Sequence, residues 1–284
     1  MLKNFDKAAE SGKLSLPDSD LDFVVSTVAP EFKDKERLKR LIREDKSFRK
    51  GLIGNERLFR RLMSDKELML KISPSLLFEI LLRRTLINLE RASYIMESAG
   101  PENIPIFHSK QAASFLANEF ILDYLASMLS SFTRTESFVI PFRVRKGIWR
   151  RIRFSDMDTD SLVKFCELLD EGNRFPFYKR MADLCLFIPG MFPQYANFDY
   201  RYPSSGKVRP RIVGRLRRSA EDYEEGGKIF YKLAMGHKKA KVLDLEEPLY
   251  ELCENFNLAN GCLNFISEHY LKFRRGKLFN LGNA

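Results

Sequence analysis

The pattern of apolar and polar positions divides the chain into helical stretches and one stretch of a different period. From about Leu21 to Lys71, short apolar clusters alternate with dense charge. Leu38, Leu41 and Ile42 recur at i, i+3, i+4, and Leu58, Arg61 and Leu62 do the same with an arginine in the middle. This spacing predicts two or three amphipathic helices, with Gly51 and Gly54 breaking the run. The next helix carries the strongest signals. Ser73 is a good N-cap, and Pro74 follows at the first helical position, where its missing N–H costs nothing. Leu76, Leu77, Phe78, Ile80, Leu81 and Leu82 are apolar on all sides, which predicts deep burial for the first half. Gly100 and Pro101 are read as its stop. A further helix, opened by Ser109 and ending near Phe132, takes its apolar face from Phe115, Leu116, Phe120, Leu122, Leu125, Met128 and Leu129.

The period then changes from 3.6 to 2. In Ser137–Arg145 the even positions Phe138, Ile140, Phe142 and Val144 are apolar, and beyond Lys146-Gly147 so are Ile148, Ile152 and Phe154. The odd positions give Arg143, Arg145, Trp149, Arg151 and Arg153. Alternation on both sides of a glycine predicts a β-hairpin over residues 137–154, one face on the helices and the other carrying arginines and the single tryptophan. Pro141 cannot donate to a ladder, so the first strand is expected at an edge or bulged.

Helices resume with Thr159 or Asp160 as a cap and Gly172 as a stop, and again from about Pro176 to Ile188, stopping at Pro189-Gly190. Residues 191–218 read as an irregular loop with Tyr195, Phe198, Tyr200 and Tyr202 followed by cations. Three helices complete the chain, roughly 219–235, 245–257 and 258–275. Tyr223, Gly226, Gly227, Tyr231 and Ala234 place small residues where two helices can approach closely. The expected fold is therefore mainly α: a multi-helix bundle with one β-hairpin in the middle. Its expected parts are a basic helical region 1–72 with about 20 loose residues first, a helical core 73–190 containing the hairpin, the loop 191–218, and the C-terminal helices 219–284.

The chain has 284 residues, enough for a sizeable core, and its net charge is +10. That charge is concentrated: residues 133–218 hold 18 basic and 9 acidic side chains, while residues 219–284 hold 9 and 10. Phosphate binding needs cations close together, so a local excess changes the picture where a diffuse one would not. Disorder is excluded by the 44% hydrophobic content, and the most apolar run, Leu76–Leu82, ends at Arg83-Arg84, too soon to cross a membrane. Met1–Lys13 lacks the apolar stretch of a secretory signal, and Cys166, Cys185, Cys253 and Cys262 contain no close pair. A cytoplasmic location with reduced, buried thiols is expected.

Candidate chemistry is sparse. Asp156, Asp158, Asp160 and Glu167 fall at calcium-loop spacing, but Ser161 stands where that loop needs glycine and Lys164 repels a cation, so capping of a helix is the better reading. Cys253, Cys262, His269 and His237 are too widely spaced for a structural zinc site. No G-x-S-x-G, H-E-x-x-H or phosphate-cradling glycine loop occurs, and His108 has no nucleophile nearby in sequence. No catalytic residue, metal or cofactor is therefore expected. The best candidates are cations with aromatics: Arg143, Arg145, Lys146, Trp149, Arg151 and Arg153 on the hairpin, and Lys207, Arg209, Arg211, Arg215, Arg217 and Arg218 in the loop. The planar arginine fork suits phosphate, and an indole can stack on an unpaired base. A hairpin after two helices resembles the wing of winged-helix DNA-binding domains, though no recognition helix precedes it. The expectation is a non-catalytic nucleic-acid-binding protein. The competing expectation is a helical scaffold that binds another, acidic protein.

Overall fold

The computed structural model describes residues 16–65, 67–92, 95–99, 102–106, 109–134, 137–145, 147–167, 169–196, 219–272 and 274–279; over 95–99, 102–106, 137–144 and 149–155 it describes the backbone alone. These residues are mainly helical. They fall into two compact units, one within Ser11–Ser131 and Asn257–Phe273, the other within Phe132–Phe256 and Arg274–Ala284.

In the first unit the chain makes α1 (Asp18–Val28), α2 (Lys35–Glu44), α3 (Lys46–Ile53), α4 (Glu56–Ser64) and α5 (Leu68–Lys71), five helices where two or three were expected. Polar caps make the extra breaks. Asp34 accepts from the Arg37 N–H, Asp45 from the Phe48 N–H and Asn55 from the Arg57 N–H, each satisfying an orphan donor of a first turn. The chain is already helical at Asp18, inside the stretch expected to be loose, and Gly51 lies within α3 while only Gly54 closes it.

Helix α6 (Pro74–Arg91) is the centre of this unit. Ser73 Oγ accepts from the Leu76 N–H at 3.2 Å, the cap that the sequence predicts. Leu76, Leu77, Phe78, Ile80, Leu81 and Leu82 are all buried, each contributing about 1.5–3 kcal/mol. Its end differs from expectation: it stops at Arg91, and β1 (Ile95–Ala99) then pairs antiparallel with β2 (Glu102–Ile106). Ala99 is opposite Glu102; Gly100 and Pro101, read as the stop of the helix, lie outside the described residues, and the helix has already ended at Arg91. The all-round apolar run ends at Leu82, well before Arg91, and β-branched Ile95, Ile104 and Ile106 suit strands. The helix expected over 109–132 is broken as well, into α7 (Ser109–Ala117) and α8 (Glu119–Ser131). Asn118 supplies the break: its side chain accepts from the Phe120 N–H at 2.9 Å and its carbonyl from the Leu122 N–H at 3.0 Å. Phe120, expected on the apolar face, is exposed, with the Lys46 ammonium 4.7 Å from its ring centroid.

In the second unit β3 (Ser137–Arg145) and β4 (Ile148–Ser155) pair antiparallel, followed by α9 (Thr159–Glu167), a 3-10 turn (Glu171–Asn173), α10 (Phe175–Met191), α11 (Pro193–Ala196), α12 (Ala220–Met235), α13 (Lys238–Val242), α14 (Glu246–Glu254) and α16 (Arg275–Leu278). The expected packing of one hairpin face on the helices falls on side chains outside the described residues. Helix α15 (Phe256–His269) starts here and continues in the first unit. Helix α10 is buried along nearly its whole length and runs through Pro189 to Met191, past the expected stop. Pro189 has no N–H to return to the Cys185 carbonyl and its ring crowds that carbonyl, a cost that falls in the last turn of a helix buried along its length. Phe187 stacks on Phe132 with centroids 4.0 Å apart and meets Phe279 edge-on at 4.9 Å. Helix α12 opens on a capping box between Ser219 and Asp222. At Gly227 an added Cβ would collide with the Phe256 ring and stand 3.2 Å from Cys185 Cβ. The small residues of α12 thus serve the close approach of α12 to α10, as their spacing suggests.

Candidate nucleic-acid interface

The β3–β4 register is set by residue pairs. Val139 stands opposite Arg153, Pro141 opposite Arg151, Phe142 opposite Arg150 and Arg143 opposite Trp149. Opposed Cα partners share a sheet face, so positions 139, 141, 143, 149, 151 and 153 lie on one face. Between Arg143 and Arg145 the register shifts, and Arg145 comes opposite Ile148. A bulge of this kind turns the strand by one position, so Arg145 joins the face of Ile148 rather than that of Trp149, where strict alternation puts it. Arg145 and Ile148 are both exposed. Gly147 has φ +85°, a left-handed conformation that disfavours any residue with a Cβ and that a tight turn here requires. Two strands alone leave Pro141 on an edge, where its missing N–H is harmless.

For Arg143, Trp149, Arg151 and Arg153 the structure thus gives a register position. Their side chains, and the whole of Lys146, Lys207, Arg209, Arg211, Arg215, Arg217 and Arg218, lie outside the described residues.

Four acids in the same part of the chain have described partners, while Glu136 and Asp199 lie outside the described residues. Asp156 is buried and pairs with Arg180, whose guanidinium also sits 3.8 Å from the Phe132 ring centroid. Asp158 caps α9: its carboxylate accepts from the Ser161 N–H at 3.3 Å and from the Ser161 hydroxyl at 2.6 Å. Glu171 pairs with Arg174, and Asp183 with Lys179 at 2.8 Å and with the Tyr231 hydroxyl at 3.2 Å. These carboxylates engage Ser161 of α9, Lys179 and Arg180 of α10, Arg174 just before α10 and Tyr231 of α12.

The sequence reading missed the buried charge of both units. In the first, Glu79 is 0% exposed in the middle of the apolar run of α6, held by Arg49 at 2.5 Å and Arg83 at 2.9 Å. Arg83 also bonds Glu119 at 2.9 Å, and Lys50 reaches Glu119 at 3.3 Å. Burial pushes the Glu119 carboxyl up, but Arg83 and Lys50 outweigh it and hold it below the usual carboxylate range. Neighbouring Asp123 goes the other way: burial, and then the Glu79 charge, push it up. The only signal for this network was charge at helical spacing on α6, Glu79 and Arg83 at i, i+4.

The remaining reactive groups are satisfied locally. His237 accepts the Lys239 N–H on Nδ1, so Nε2 carries the proton and donates to the Glu171 carbonyl at 3.0 Å. His269 stacks on Phe265. All four cysteines are buried and outside any disulfide; burial pushes the Cys262 thiol up to about 12 and Cys166 to about 11. Among the described residues no group of three or more His, Cys, Asp or Glu is placed to hold a metal, and no helix is long and apolar enough to cross a membrane. No family model, no curated protein and no solved structure matches the chain.

Proposed function

We propose that the protein binds nucleic acid without catalysing a reaction. Phosphates are met by Arg143, Arg145, Lys146, Arg151 and Arg153 and by Lys207, Arg209, Arg211, Arg215, Arg217 and Arg218, while Trp149 stacks on an unpaired base. One observation carries this reading. Residues 134–153 hold seven cations and one acid, and residues 201–218 hold seven cations and none, so the excess is denser than the +9 of the wider segment. Of the carboxylates in this part of the chain, Asp156, Glu171 and Asp183 are engaged by Arg180, Arg174 and Lys179. The shared face of positions 143, 149, 151 and 153 supports the reading further. Four buried thiols outside any disulfide fit a reducing compartment, and a cytoplasmic location is part of the proposal.

The test is an electrophoretic mobility shift at low salt with the full chain and mixed-sequence duplex and single-stranded probes. A complex is expected, weakened for every probe alike when Arg143, Arg151 and Arg153 are changed to Ser. No complex at low salt, or equal binding by that variant, overturns the proposal.

The scaffold reading loses part of its support, because Gly226 and Gly227 are used in packing against Cys185 and Phe256 inside the unit. What favours it is the exposure of Ile229 and Leu233 on α12.

A further inference from the structure

We infer that α3 (Lys46–Ile53) is a strap that opens as a unit from α6 and α8 while those helices stay folded. Its seat is ionic. Lys46, Arg49 and Lys50 stand at i, i+3 and i+4 and share one side of the helix. Arg49 meets Glu79 of α6 at 2.5 Å and Lys50 meets Glu119 of α8 at 3.3 Å. Lys46 meets Asp123 of α8 at 3.9 Å and lies over the ring of Phe120. Within α3 only Ile53 is buried, while Phe48, Arg49 and Leu52 are half-buried. Helix α6, in contrast, is anchored by the buried side chains of Leu76, Leu77, Phe78, Ile80, Leu81 and Leu82.

The helix itself is weak. Its 8 residues are fewer than an isolated helix needs to form. Gly51 lowers its propensity further, yet packing does not require a glycine there, because an added Cβ would meet nothing within 4 Å. The ion pairs add little net hold: Arg49 and Glu79 give up hydration when the strap closes and regain it when it opens. Opening strands no charge either. Arg83, on α6 itself, stays bonded to Glu79 at 2.9 Å and to Glu119 at 2.9 Å. The links on both sides are short, with Asp45 alone joining α3 to α2 and Gly54-Asn55 joining it to α4. In the closed form three cations are neutralised by carboxylates, and in the open form they face solvent.

Hydrogen–deuterium exchange of the full chain at pH 7, read by mass spectrometry, tests the strap. Amides of residues 49–54 should exchange together, at least about a hundredfold faster than those of residues 77–88. Arg49→Gln should speed 49–54 about tenfold, and Gly51→Ala should slow it about threefold through helix propensity. Leu89→Val, in the last turn of α6, separates local from global opening. It should speed residues 77–88 several-fold and leave 49–54 unchanged, because α6 is folded in both the closed and the open form. Exchange of 49–54 at the rate of 77–88, exchange of 49–54 that rises with 77–88 in Leu89→Val, or exchange indifferent to Gly51→Ala overturns the inference. The parent and Gly51→Ala decide the matter on their own if another variant does not fold. The inference is independent of nucleic-acid binding.

Discussion

Arg83 reaches back one turn of α6 to Glu79, its guanidinium 2.9 Å from a carboxylate wholly removed from solvent. Arg49 holds the other side of that carboxylate. A buried acid is tolerated here because two cations and their hydrogen bonds replace its hydration. Removing one partner strands a charge. Glu79→Ala leaves Arg83 facing Glu119 alone and opens a cavity, and it should cost about 3–5 kcal/mol in urea denaturation. A loss below about 1 kcal/mol would mean that the network is an ornament of an otherwise apolar core.

The same network has a pH signature. The Asp123 carboxyl is raised in the folded protein, so the stability linked to its protonation is present below its ordinary value of 3.8 and lost as pH rises through the higher folded value. Asp123→Asn should therefore be at least as stable as the parent at pH 7, and any difference should vanish on acidification below the ordinary value of 3.8. Glu119, lowered in the folded state, acts in the opposite sense: its contribution is present above 4.5 and lost on acidification. Urea midpoints at several pH values separate the two.

Two glycines predict opposite signs. Gly227→Ala drives a methyl into the Phe256 ring and against Cys185, and should destabilise the second unit by about 1–3 kcal/mol. Gly51, inside α3, has open space where a methyl would stand, with no atom within 4 Å. Gly51→Ala should therefore stabilise by about 0.5–1 kcal/mol through helix propensity. Thermal unfolding of the pair checks both.

The four thiols should resist alkylation in the native state at pH 8. Burial holds Cys262 at about 12 and Cys166 at about 11, so little thiolate exists, and access is closed as well. Mass spectrometry after iodoacetamide treatment should find labelling only in denaturant; native labelling of Cys262 would contradict its burial.

Much of the helical scaffold was legible. Ser73 and Pro74 marked the start of α6, and the all-round apolar run marked its burial, because caps and periodicity are local properties of a sequence. Helix ends were less legible. Asn118 ended one helix and began the next because its amide competes for backbone donors, yet the apolar pattern runs across it without a sign. Burial of Glu79 was invisible because it depends on Arg49, 30 residues away in sequence. Within the candidate interface, charge density could be read from composition. The bulge that separates Arg145 from Arg143 could not, since a register is decided by two strands together.

The central claim is that arginines of residues 143–153 meet phosphates, and its most direct test is the salt dependence of binding. Fluorescence anisotropy of a labelled duplex, titrated with the full chain at several salt concentrations, gives a slope of log K against log salt. Each phosphate contact contributes about 0.9 to that slope. Changing Arg143, Arg151 and Arg153 to Ser should reduce the slope by roughly 3 and weaken all sequences alike. An unchanged slope and affinity in that variant would contradict the account.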